Sequence, residues 1–102
     1  MATVIDITNK IKNEEKFIVY NGKSYKVDDR KNTMIKVFSI IDGANGASMD
    51  MIEKVLHELL GKEAVKDFDG FHYDDYLVPF FAAMACIQNK SYEEIERSFR
   101  EA

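Results

Sequence analysis

At 102 residues, with 46% hydrophobic and 31% charged side chains, the chain has room for one modest core without covalent staples, and it is neither disordered nor fibrous in composition. A formal net charge of −4 argues against a nucleic-acid binder, whose phosphate contacts need clustered Lys and Arg. A lone cysteine, Cys86, excludes an internal disulfide and a multi-cysteine metal site.

The amino terminus, "MATVIDITNK", has no basic segment leading into an apolar one, so no secretion signal is expected. Residues 3–9 carry the letters of a third strand or of a mobile arm. "KFIVYNGKSYKV", residues 16–27, is a β-hairpin by its Asn21-Gly22 pair, because a type I′ turn needs positive φ at both central residues. That turn opposes Tyr20 to Lys23, Ile18 to Tyr25 and Lys16 to Val27. Ile18, Tyr20, Tyr25 and Val27 therefore share one face, and Phe17, Val19, Ser24 and Lys26 the other. Two strands alone are marginal in water, so the ribbon must lie on something.

Beyond "VDD" the period becomes helical. Met34, Val37, Phe38 and Ile41 form one stripe, with Asp28 or Asp29 placed to cap the first turn. "DGANGAS" interrupts, and a second helix follows with Ser48 or Asp50 at its start, Ile52, Val55, Leu56, Leu59 and Leu60 along one side, and Gly61 at its end. "KEAVKDF" adds at most a short helical turn. A third long helix is expected from Asp74 or Asp75, which keeps Pro79 in its first turn. From Phe80 to Ile87 it is apolar all round, so it should be the centre of the fold. Its apolar run, Tyr76 to Ile87, is too short for the ~20 residues of a membrane span. "SYEE", residues 91–94, is a capping box opening a last helix whose apolar face is Tyr92, Ile95 and Phe99.

Catalytic chemistry is sparse. His57 lies on the polar edge of a helix, His72 lies in a loop, and Cys86 lies in the apolar helix, where a thiol is an inert small hydrophobe. "DFDGFHYDD", residues 67–75, imitates the centre of a calcium loop, but with Gly70 at the sharp turn the first ligand would be Val65 and the closing acid Tyr76. "DGANGAS" lacks the Lys-Ser/Thr pair of a phosphate loop. No enzyme, cofactor or metal is expected.

An interaction surface remains. The chain holds twelve aromatic residues and five methionines. Phe17, Val19, Tyr20, Tyr25, Phe80, Phe81 and Tyr92 are the candidate interface residues, since aromatic side chains are enriched at protein interfaces. Tyr73 is a further aromatic of the same kind. The charge is also polarised: residues 1–40 carry a net excess of three positive charges and the remainder seven negative, a distribution suited to association between copies.

A hairpin followed by helices, with "LLGKEAVKDF" and then "YDDYLVPFFAAMACIQNKSYEEIERSFR", resembles the tail assembly chaperones of long-tailed phages and prophages of Gram-positive bacteria. The resemblance covers roughly residues 16–101 and is carried by hydrophobic pattern, with no motif through which to transfer site residues. It implies a non-enzymatic, largely helical protein that oligomerises and binds the tape measure protein while tail tube subunits polymerise around it. It also implies a cytoplasmic location in the host and absence from the finished virion. A small adaptor module for one host protein and a weak metal-binding domain are the alternatives. The expected fold is α+β and mainly α, in one domain of residues 1–102: an arm or extra strand over 1–15, the hairpin over 16–27, and four helices around a central apolar one over 30–101.

Overall fold

The computed structural model describes residues 2–101. Its sheet is the expected hairpin, β1 (Lys16–Tyr20) and β2 (Lys23–Val27), antiparallel and in the register set by the turn, with Tyr20 opposite Lys23 and Lys16 opposite Val27. Asn21 and Gly22 have φ of 53° and 81°, the left-handed pair that a type I′ turn requires. Among the described residues no third strand joins them: the arm before β1 contains a 3₁₀ turn at Thr8–Lys10, held by Thr8 donating from its amide and hydroxyl to the Asp6 carboxylate.

Five α-helices follow among the described residues: α1 (Lys31–Asp42), α2 (Met49–Leu60), α3 (Lys62–Phe68), α4 (Tyr73–Gln88) and α5 (Tyr92–Glu101). "KEAVKDF" is thus a helix in its own right, separated from α2 by Gly61, whose φ of 92° breaks the backbone while its amide still donates to the His57 carbonyl. The caps of α2 and α5 form as expected. Ser48 Oγ accepts from the Met51 amide, and Ser91 and Glu94 exchange side-chain-to-amide hydrogen bonds of 3.1 and 3.2 Å. Asn89 closes α4 in the left-handed conformation at φ 54°.

α2 and α4 pack on each other at the centre. The hairpin lies across both, α1 covers the far side of α2, and α5 covers α4. The Asp28 amide donates to the Leu59 carbonyl at 2.8 Å and pins the end of β2 to the end of α2. From the apolar stripe of α2, Ile52, Val55, Leu56 and Leu59 are buried and Leu60 half-buried, and Tyr25, Val27 and Val37 are buried with them. From α4, Tyr76, Leu77, Pro79, Phe80, Phe81, Ala83, Met84 and Ala85 join them. Phe81 is fully enclosed by Phe99, Tyr92 and Phe80 at ring-centroid distances of 5.1, 5.9 and 6.0 Å. Burying such rings is the main favourable term for a core of this size.

Three local expectations need correction. α4 starts at Tyr73, with His72 at the cap and Asp74 and Asp75 already inside the first turn. Pro79 therefore lies in the second turn, where the bond it cannot donate leaves the carbonyl of Asp75, an exposed residue that water can serve. At the start of α1 the cap residue is Arg30, and Asp28 acts from two residues earlier, accepting from the Arg30 guanidinium at 2.9 and 3.0 Å and from the Thr33 hydroxyl at 2.8 Å. Finally, Phe38 is exposed: α1 has adjacent apolar pairs at 34–35, 37–38 and 40–41, which make two stripes, and α2 covers only one.

Candidate functional site

Groups able to do chemistry stand apart from one another. His57 is exposed on α2 and His72 at the start of α4. Burial pushes the Cys86 thiol up, away from the reactive thiolate form. Asp67, an acid of the imitation calcium loop, is already engaged. It accepts 2.8 Å hydrogen bonds from Lys23 Nζ and from the Tyr25 hydroxyl, and Lys23 also reaches Glu63 at 2.6 Å. The Lys23 ammonium holds Asp67 below the usual carboxylate range, and Asp67, then Glu63, raises Lys23. Burial, followed by the bond to Asp67, pushes the Tyr25 hydroxyl up. This network fastens the hairpin to α3. Among the described residues no group of three or more His, Cys, Asp or Glu side chains is placed to share a metal ion.

The surface features are apolar. Of the candidate interface residues, Phe17, Val19 and Tyr20 are exposed, Val19 by 68%, while Tyr92 is half-buried on Phe81. Tyr25, Phe80 and Phe81 are buried in the core. Tyr25 sits mid-ribbon over Phe68, with ring centroids 5.0 Å apart, and the two phenylalanines are enclosed by α5. Tyr20 shares a face with Tyr25 but lies at the turn end of the ribbon. There only one side of its ring meets protein, at Phe71 and Phe68, and 51% of the residue stays exposed.

Three apolar surfaces result. The outer face of the ribbon shows Phe17 and Val19. The outer stripe of α1 shows Ile35 and Phe38, which a reading of α1 as one-sided misses even though its doubled apolar pairs signal them. The third is a groove of about 460 Å³ between β1 and α4, lined by Ile18, Val19, Tyr20, Phe71, Val78 and Ala82, with Asp75 and His72 at one end. Three consecutive strand residues cannot line a groove through side chains that alternate faces, so it runs along the edge of β1. Val4, Ile5, Ile7 and Ile11 of the arm are exposed as well, Val4 by 86%.

No family model, curated protein or solved structure matches the chain in comparisons with known proteins.

Proposed function

We propose that this chain is a non-enzymatic chaperone of phage tail assembly: it associates with its own copies and covers the apolar, helical tape measure protein until the tail tube closes around that client. The resemblance of residues 16–101 supplies the role. One observation carries it physically: α1 keeps a second apolar stripe through Ile35 and Phe38, both more than half exposed among the described residues. Residues three apart on a helix are neighbours, and such a stripe suits another apolar helix packing at the usual 8–10 Å between axes. Phe17 and Val19 add a second apolar surface on a different element, as a protein that meets both client and copies requires.

The test is co-expression with a tape measure fragment, scored by the fraction of the fragment that stays soluble. The wild-type chain should keep it in solution, and Ile35→Lys with Phe38→Lys should lose that ability while melting at the same temperature. A fragment that precipitates equally with and without the chain sinks the reading. In parallel, Phe17→Lys with Val19→Lys should leave the fold intact and reduce the particle size measured by light scattering.

A further inference from the structure

We infer that residues 3–7 of one copy, up to the 3₁₀ turn that begins at Thr8, add as a parallel strand along the free edge of β1 in a second copy, seating Ile5 and Ile7 in the groove between β1 and α4. This deepens the self-association half of the proposed function and is independent of the client.

The edge is available. Flanking a two-residue turn, Tyr20 and Lys23 are a hydrogen-bonded pair, so Tyr20, Ile18 and Lys16 direct their amides and carbonyls to β2. Those of Phe17 and Val19 point the other way, and neither residue has a backbone partner outside the hairpin among the described residues. An unpaired edge beside an apolar groove is a template for an added strand.

The arm is the matching strand. "TVIDI", residues 3–7, is dominated by β-branched residues, and its alternation places Ile5 and Ile7 on one face. Its own body leaves it uncovered. The molecule measures 61 × 34 × 24 Å with a radius of gyration of 15.8 Å, against about 13 Å for a compact chain of this length.

Charge selects the direction. Lys16 Nζ donates to the Cys86 carbonyl at 2.9 Å while Tyr20 packs on Phe71, so β1 runs from the end of α4 toward its start. Asp75, with Asp74 beside it, therefore lies at the Tyr20 end of the groove. A strand parallel to β1 brings Lys10 and Lys12 toward those carboxylates, whereas an antiparallel one brings them toward Lys16, Arg30 and Lys31, where Asp29 is already paired with Lys16 at 3.3 Å. The parallel direction also selects the donor. Parallel strands need a crossover of roughly a dozen residues or more, and residues 8–15 are too few, so an arm cannot serve its own β1. The chain also leaves β1 the wrong way: Glu15 pairs with Lys26 at 3.2 Å, and Asn13 lies beside Val27 and Leu60, on the side of β2 and α2.

The experiment is sedimentation of full-length chains from micromolar to millimolar concentration, with amide exchange at Phe17 and Val19. Ile5→Lys with Ile7→Lys disables the arm, and Val19→Pro removes an outward amide while keeping the ladder to β2. Wild type should assemble, with those two amides protected as concentration rises. Each variant alone should stay monomeric, and an equimolar mixture of the two should regain a heterodimer, one intact arm on one intact edge. Assembly of the arm variant at wild-type affinity overturns the inference. So does a wild-type monomer, whether its Phe17 and Val19 amides are protected, which means the arm folds on its own edge, or not. Should Val19→Pro fail to fold, the arm variant decides alone, its substitutions lying outside the core. Client solubilisation by the arm variant is scored separately, so loss of the arm contact and loss of the chaperone reading are distinguishable.

Discussion

Residues 80–87 and residues 4–11 are both rich in large apolar side chains, yet they meet opposite surroundings. The first stretch is wrapped by α2, α5 and the hairpin, leaving only Ala82, Cys86 and Ile87 half-exposed. Val4, Ile5, Ile7 and Ile11 of the second are all more than half exposed among the described residues. Apolar residues show that a segment needs cover; neighbours in the fold decide whether the chain supplies it. α4 is buried because amphipathic helices flank it in sequence and need an apolar partner, whereas the arm has only the short ribbon beside it. If the comparison is right, substitutions in α4 and its packing partners cost stability, and substitutions in the arm cost association alone.

The largest effect should come from Phe81→Ala. This ring is wholly enclosed, so the lost transfer energy and the cavity together should cost about 3–5 kcal/mol, much of the 5–15 kcal/mol that holds a domain of this kind. Urea denaturation followed by circular dichroism measures it. A loss under about 1 kcal/mol would mean that α5 does not close over α4.

A smaller loss, about 1 kcal/mol, is expected for Ser91→Ala, which removes the acceptor for the Glu94 amide at the start of α5. Acid should act at the other end of the helical part. The Arg30 guanidinium, then the Thr33 hydroxyl, hold the Asp28 carboxyl well below the usual range, despite an opposing push from burial. A carboxylate lowered in the folded state stabilises it above the ordinary carboxylate range, and that contribution fades as pH falls below about 4. Denaturation midpoints of wild type and Asp28→Asn should thus differ at pH 7 and converge in acid. A constant gap would show that the hydrogen bonds act without the charge.

Tyr76 offers a change of opposite sign within the core. Its hydroxyl is buried with no hydrogen-bond partner among the described residues, and burial raises it further above its ordinary range. Tyr76→Phe keeps the ring and removes the orphan group, so stability should hold or rise by up to about 1 kcal/mol.

Much of this architecture was legible in the letters, because the signals concerned are local. Asn21-Gly22 defines turn and register together, and Ser48, Gly61 and "SYEE" mark helix ends through bonds made within a turn or two. The start of α4 was not legible, because a proline in a second turn is tolerated only where the carbonyl it leaves unpaired faces water, a fact of tertiary placement. The candidate surface divided similarly. Tyr20 and Tyr25 share a face by strand parity, but only their positions over Phe68 and Phe71 make one half-exposed and the other core. The outer stripe of α1 was written in its doubled apolar pairs, yet which stripe meets α2 depends on how the two helices meet.

The smallest stability effect should be that of Ile5→Lys with Ile7→Lys. At concentrations where the chain is monomeric, the urea midpoint should move by no more than about 0.5 kcal/mol, since substitutions away from packed features rarely do more. This near-silence sharpens the contrast with Phe81. Were the arm part of the monomer core, two buried charges would unfold it; were the arm merely solvated, the same change would alter neither stability nor association. A variant as stable as wild type as a monomer, but unable to assemble, fits only an apolar segment whose cover comes from another molecule.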